Sequence, residues 1–133
     1  MTDEQRLEML EDEIDELREL AIDHIIIVEG INDKKALISL GLNATFLMVQ
    51  QEGGPTRIAE SVYERKRKAV ILTDWDDKGD IIAAELKRNL SALAVPFDMS
   101  VRSRLKDICV KDIKDIESID SLYERLSKNE DCR

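Results

Sequence analysis

Histidine and cysteine are scarce in this 133-residue chain, which has one histidine, His24, and two cysteines, Cys109 and Cys132. The cysteines form no CxxC pair, and a single histidine adds little, so the sequence argues against a zinc site built from thiolates and imidazoles. Two such widely separated cysteines do not make a disulfide framework, and we expect both to be reduced thiols. His24 opens a predicted strand, where we expect a structural role.

Long apolar runs and a phosphate-binding loop are also absent. A membrane-spanning helix needs about 20 predominantly apolar residues, and no stretch of the chain approaches that length. The first residues are acidic, whereas a secretory signal starts with basic residues that precede an apolar run. No glycine-rich loop ends in Lys-Ser or Lys-Thr, which argues against a P-loop ATPase. We therefore expect a cytoplasmic protein with no membrane partner.

Negative charge is concentrated at the N-terminus. The net charge is −9, but residues 1–23 hold ten acids against two bases, a balance of −8. The other 110 residues hold 19 acids against 18 bases, a balance of −1. The acidity of the whole chain therefore describes its first segment, and it argues neither against nor for a polyanionic partner of the body.

The first 21 residues have the pattern of an amphipathic helix with an acidic outer face. Apolar residues recur at spacings of three and four, at Leu7, Leu10, Ile14, Leu17 and Ala21. Thr2 and Gln5 have the spacing of a capping box. The pattern is compatible with a helix that docks on the body, and also with one that pairs with a second copy or a protein partner.

The remaining chain, residues 22–133, alternates between strand and helix patterns. Apolar runs predict strands at His24–Glu29, Thr45–Val49, Ala69–Thr73 and Val95–Met99. Helices are predicted after each strand: from Asn32 to about Leu40, Arg57–Arg67, Lys78–Leu93, Ser100–Ile108 and Ser118–Ser127. Pro96 suggests that the fourth strand lies at an edge. This order predicts one α/β domain: a three-layer, Rossmann-like fold with a four-stranded parallel sheet flanked by helices, and a C-terminal helical extension.

Carboxylates cluster after two of these strands. Glu29 and Gly30 follow the first strand, and Asp74, Asp76 and Asp77 follow the third. If these strands are neighbours, Glu29 and Asp74 meet in one crevice at the carboxyl edge of the sheet. Oxygen ligands without histidine or cysteine suit Mg²⁺ or Mn²⁺, which would leave Glu29 as a general acid or base. We expect Asp77 to cap the following helix.

Two motifs carry a family resemblance. They are Val28-Glu29-Gly30-Ile31-Asn32-Asp33 and, about forty residues later, Thr73-Asp74-Trp75-Asp76-Asp77-Lys78-Gly79. Together they resemble the Toprim domain of topoisomerases, bacterial-type primases, overcoming-lysogenization-type nucleases and ribosomal-RNA maturase nucleases. The resemblance covers roughly residues 22–110 and is strongest to small stand-alone Toprim proteins. Trp75 stands where the maturases usually have proline, and we interpret it as a loop anchor.

The resemblance implies a Toprim fold and roles for individual residues. Glu29 becomes the catalytic acid or base, and Asp74 and Asp76 become ligands of Mg²⁺ or Mn²⁺. Supporting roles are implied for Asp33, Gly30 and Gly79. Candidate phosphate contacts are Lys34, Lys35, Lys78, Arg102 and Arg104.

The implied activity is Mg²⁺-dependent phosphodiester chemistry on nucleic acid, with RNA favoured over DNA. A nuclease is the first interpretation, and ribosomal-RNA processing is a candidate role. A primase-like nucleotidyl transferase stays open, as does a non-catalytic module that binds nucleic acid or a ribonucleoprotein. The short chain argues against a topoisomerase, which needs a strand gate and a tyrosine domain.

Overall fold

The computed structural model describes residues 1–131, so the predicted free thiol of Cys132 lies outside the described residues. The helices are α1 (Asp3–Leu20), α2 (Ile31–Ser39), α3 (Val49–Glu52), α4 (Pro55–Glu64), α5 (Asp77–Ala92), α6 (Ser100–Cys109) and α7 (Ile119–Asp131). The strands are β1 (His24–Val28), β2 (Phe46–Met48), β3 (Lys68–Ile71) and β4 (Phe97–Asp98). Among these residues no helix is long and apolar enough to cross a membrane.

The four strands form one parallel sheet in the order β2-β1-β3-β4. Residues 25–28 of β1 are completely buried, which is typical of a strand covered by helices on both faces. From β1 the chain forms β2 on one side and then crosses to form β3 on the other side, with Ile27 opposite Ile71. The strand order therefore reverses between β1 and β3, and the predicted α/β fold with β4 at an edge is confirmed.

Helices cover both faces of the sheet. Because strand side chains alternate in direction, Ile26 and Val28 join one core cluster and Ile25 and Ile27 join the other. The first cluster lies under α1, α2, α6 and α7, and the second lies under α4 and α5. Cys109 is a buried free thiol in the first cluster, as predicted, and burial raises its pKa to about 11.

Helix α1 docks on the body of its own chain. The Thr2 hydroxyl accepts the Gln5 N–H at 3.1 Å, and the Gln5 side chain accepts the Thr2 N–H at 2.9 Å, which makes the predicted capping box. The apolar positions Leu7, Leu10, Ile14 and Leu17 are buried, and the helix packs against α6 and α7. The apolar face that the sequence predicted for this helix is therefore covered by α6 and α7 of the same chain.

The loop after β2 differs from the prediction. It contains the short helix α3, which ends at Gly53 with φ +89°. Helix α4 then begins at Pro55, two residues before the predicted start at Arg57, and Gly54 is its N-cap residue. Proline is favoured at the first helical position because its φ is preset and its missing N–H has no helical partner there.

Candidate active site at the ends of β1 and β3

Glu29 and Asp74 meet at the reversal of strand order. Glu29 directly follows β1, and the Asp74 backbone N–H donates to its Oε2 at 2.8 Å. Glu29 is only 5% exposed. The expectation that these two strand ends share a crevice is confirmed, because β1 and β3 are paired neighbours.

Asp76 begins helix α5. Its Oδ1 accepts the Gly79 N–H at 2.7 Å, so Asp76 is the N-cap and the prediction that Asp77 caps this helix is wrong. Gly79 also allows a close backbone approach, since a Cβ there would lie 1.9 Å from the Asp74 carbonyl oxygen. No other residue type fits this position without a backbone shift.

Asp33 is the second buried acid after β1. Its Oδ2 accepts the Gly30 N–H at 2.9 Å, and the residue is only 6% exposed. Gly30 itself lies under the Gln50 amide, whose oxygen would be 2.7 Å from an added Cβ. Both residues therefore shape the wall of the crevice beside Glu29.

Burial and mutual repulsion act on the acids of the crevice. Burial, and after it the charges of Asp33 and Glu29, together raise the pKa of Asp74 to about 8, although a hydrogen bond from the Ile116 N–H acts in the opposite direction. Burial also raises the pKa of Asp33, with contributions from Glu29 and from two acids farther along the chain. The crevice thus disfavours negative charge in the absence of a compensating cation.

These side chains line a cavity of about 260 Å³. Its acids are Glu29, Asp33, Asp74, Asp76, Asp115 and Glu117, and its only lysine or arginine within the described residues is Lys78. A larger cavity of about 540 Å³ lies between α1 and α7 and contains none of the predicted site residues. We locate the candidate site in the smaller cavity because six acids line it. The size of a cavity does not decide the choice.

The sequence did not predict that Asp115 and Glu117 would line the candidate site. They belong to the segment from residue 110 to residue 118, between α6 and α7, which we call the connector. Ile116 of the connector donates its N–H to Asp74 Oδ1 at 2.9 Å. The connector has no regular hydrophobic period, and only its density of acids hinted at a functional role.

Trp75 holds the connector against the Asp74–Asp76 loop. Its indole Nε1–H donates to the Ile113 carbonyl at 2.7 Å, and its backbone N–H donates to the Lys114 carbonyl at 3.0 Å. The Trp75 side chain is 5% exposed. It is the predicted loop anchor.

The predicted phosphate contacts separate into two groups. Lys78 lines the cavity, Lys35 lines a neighbouring one, and the Lys34 ammonium lies 5.8 Å from the centre of the Phe46 ring. The other group, Arg102 and Arg104, is not brought into the cavity by the structure.

The two arginines are held by bonds elsewhere. Arg102 is buried and donates to the carbonyl oxygens of Thr73 and Asp74, at 2.9 Å and 2.5 Å, and to Asp80. Arg104 pairs with two acids of α1, Glu13 and Glu16. Arg102 therefore stabilises the start of the Asp74–Asp76 loop through hydrogen bonds to its backbone carbonyls. Arg104 links α6 to α1 through its two ion pairs.

The donor set suits a hard divalent cation. All of the candidate ligands are carboxylate oxygens, and Mg²⁺ typically uses one or two of these and keeps several waters. Within residues 1–131 no three histidine, cysteine or acidic side chains already stand close enough together to hold a metal ion. Asp74 and Asp76 could hold a divalent cation only if water supplied most of its other ligands, because the acids do not form a closed protein cage.

The chain has clear relatives in archaea. The UPF0292 protein of Methanosarcina barkeri is 36% identical over 124 residues, which cover 92% of this chain and 84% of that protein. The UPF0292 protein of Pyrococcus horikoshii is 38% identical over 115 residues, 86% of this chain and 83% of that protein. These names state no activity.

A solved structure shares the fold. A protein from Aquifex aeolicus superposes with a TM-score of 0.69 at 29% identity, covering 81% of this chain and 95% of that chain. No family model matches the chain. The identity and coverage of the archaeal relatives show that the chain belongs to the UPF0292 family.

Proposed function

We propose that the protein carries out Mg²⁺- or Mn²⁺-dependent phosphodiester chemistry on nucleic acid, as a nuclease of the Toprim type. The observation that carries the proposal is the meeting of Glu29 and Asp74 where the strand order reverses, the place where ligands of open α/β sheets bind. The resemblance of the two strand-end motifs to the Toprim domain supports the same conclusion.

The bound cation would neutralise charge that develops on the transferring phosphoryl group. Asp74 and Asp76 are the residues that would hold it. In hydrolysis a water oxygen bonds to phosphorus while the bond from phosphorus to one ester oxygen breaks. Glu29, oriented by the Asp74 N–H, would accept the proton of that water or donate one to the leaving oxygen.

The cavity constrains the substrate. Six acids face one lysine, so a phosphodiester without a cation is repelled from the site. Of the predicted phosphate contacts that do not line the cavity, only Lys34 and Lys35, near the start of α2, are not bonded to acids or backbone carbonyls among the described residues. We therefore propose a small footprint on RNA, with DNA second, and a partner protein or second copy that adds binding surface.

A cleavage assay tests the activity. Labelled structured RNA and single-stranded DNA are incubated with the protein in Mg²⁺, in Mn²⁺ and in EDTA. We expect cleavage only with metal, and a loss of about 100-fold or more in Glu29→Gln, typical of removing a general acid or base. Glu64→Gln is the matched control, because Glu64 is exposed at the end of α4 that leads to the opposite edge of the sheet.

A non-catalytic binding module is the second candidate. It is favoured by the lack, within residues 1–131, of three acidic side chains already placed around one metal position. Retained nucleic-acid binding without cleavage in every metal condition would favour it. Template-dependent nucleotide incorporation would instead favour a primase-like nucleotidyl transferase.

A further inference from the structure

The connector is bonded to the candidate site at three points. Two of them are the Trp75 bonds to the carbonyls of Ile113 and Lys114, at 2.7 Å and 3.0 Å. The third is the Ile116 N–H, which donates to Asp74 Oδ1 at 2.9 Å. The carboxylate that the proposed cation would contact is thus oriented by a segment about forty residues farther along the chain.

This segment also brings two acids to the cavity. Asp115 and Glu117 flank Ile116, and both line the cavity with Glu29 and Asp33. Neither acid forms an ion pair within the described residues, and their charges act on Asp33. Asp115 is half-buried and its Oδ1 accepts the Ser118 N–H at 3.0 Å, whereas Glu117 is exposed at the rim of the cavity.

The buried acids of the cavity have no basic side chain to neutralise them among the described residues. Glu29 and Asp33 are 5% and 6% exposed, and neither carboxylate is bonded to a basic side chain among the described residues. Asp115, which is half-buried, and Glu117, which is exposed, add negative charge beside these buried acids and so raise the electrostatic cost of burying them. The same charges would lower the free energy of a divalent cation placed there.

We propose that Asp115 and Glu117 are positioning residues for the cation of this site, and that the connector supplies them. The inference rests on the proposed function for the existence of the cation. It adds an outer pair of carboxylates that the two strand-end motifs do not contain. Their charges raise the affinity for Mg²⁺ or Mn²⁺ while Ile116 orients Asp74.

The test measures cation affinity and not activity. Mg²⁺ and Mn²⁺ are titrated into the full chain by calorimetry and by the fluorescence of Trp75, the only tryptophan, which lies between Asp74 and Asp76. Asp115→Asn keeps the acceptor for the Ser118 N–H, and Glu117→Gln is isosteric. We expect each to weaken binding about 10-fold, because each removes one negative charge from beside a divalent cation.

Three further variants separate charge from structure. Glu117→Asp keeps the charge and should bind within about threefold of the wild type, since only the reach of the side chain changes. Glu64→Gln and Asp107→Asn remove exposed charges away from the cavity and should leave affinity unchanged. Urea midpoints in EDTA should be nearly equal for Asp115→Asn and the wild type, which would exclude unfolding as the cause.

The failures of the two proposals are distinguishable. If the wild type binds Mg²⁺ or Mn²⁺ and both connector variants bind equally well, the role of Asp115 and Glu117 is refuted while the proposed function stands. If the wild type binds neither cation, the cation site is refuted, and with it both proposals.

Discussion

Asp74→Asn should stabilise the metal-free protein above neutral pH. The pKa of Asp74 rises from its ordinary value of 3.8 to about 8 in the folded state, first through burial. Because the folded pKa lies above the unfolded one, the folded protein binds this proton more tightly. Protonated Asp74 therefore contributes stability to the folded state. This contribution is fully present below about pH 4 and is lost as the pH rises through about 8. Asparagine carries no charge, and its Oδ1 can still accept the Ile116 N–H.

The structure bounds the size of the effect. A tenfold change in proton affinity corresponds to about 1.4 kcal/mol, so a change from 3.8 to about 8 gives an upper limit of about 6 kcal/mol. The Asp74 side chain is only partly buried, and solvent screening lowers the cost of its charge. We therefore expect Asp74→Asn to raise the free energy of unfolding by about 2 kcal/mol at pH 8.5, and by much less at pH 5.

Urea denaturation in EDTA, followed by circular dichroism at both pH values, measures this difference. Asp76→Asn is the matched control, because asparagine is also a good N-cap and only the charge at the start of α5 is lost. It should destabilise the protein by about 0.5 kcal/mol, the opposite sign. The reasoning is refuted if Asp74→Asn is less stable than the wild type at pH 8.5, or if the difference does not depend on pH.

Added Mg²⁺ should reverse the order of the two proteins. A ligand that binds only the folded state stabilises it by about 2.7 kcal/mol at 100 times its dissociation constant. The wild type should gain this stability and Asp74→Asn should gain much less, since it lacks one of the proposed ligands. A wild type that gains nothing would contradict the cation site, while the electrostatic argument about Asp74 in EDTA would stand.

Three other substitutions have defined outcomes. Gly79→Ala should lower the free energy of unfolding by about 3 kcal/mol in urea, because its Cβ would lie 1.9 Å from the Asp74 carbonyl oxygen, and an unchanged midpoint would contradict this. Trp75→Phe should cost about 1 kcal/mol and speed proteolysis of the connector, because the indole hydrogen bond to it is lost; an unaltered cleavage rate would argue against the anchor. Arg104→Ala should cost about 1 kcal/mol at pH 8 and less at pH 4, because the Glu13 carboxylate, whose pKa burial already raises, loses its partner; a loss independent of pH would refute this.

The sequence predicted the fold because its signals are local and repeated. Four apolar runs, each followed by a helix pattern, are compatible with few architectures other than a parallel α/β sheet. The strand order then follows from one further fact, the pairing of β1 with β3. Once that pairing holds, Glu29 and Asp74 must share an edge of the sheet, so half of the site was predictable from two strand ends.

The other half depends on contacts that sequence spacing does not encode. Asp76 and not Asp77 caps α5 because the exact turn after β3 decides which carboxylate reaches the Gly79 N–H. Arg104 could have faced a phosphate, but α1 packs against α6 and offers Glu13 instead. The connector has no hydrophobic period that would predict a helix or a strand. Only the structure therefore shows that Asp115 and Glu117 lie at the cavity.

Trp75 explains why the connector lies where it does. Proline, by comparison, has no backbone N–H and no indole. A proline at position 75 would remove both bonds from this residue to the connector, to the Lys114 and Ile113 carbonyls. The Ile116 bond to Asp74 would then be the only one of the three left to hold the connector at the cavity. Trp75 is therefore the residue that contributes two of the three hydrogen bonds between the acidic connector and the Asp74–Asp76 loop.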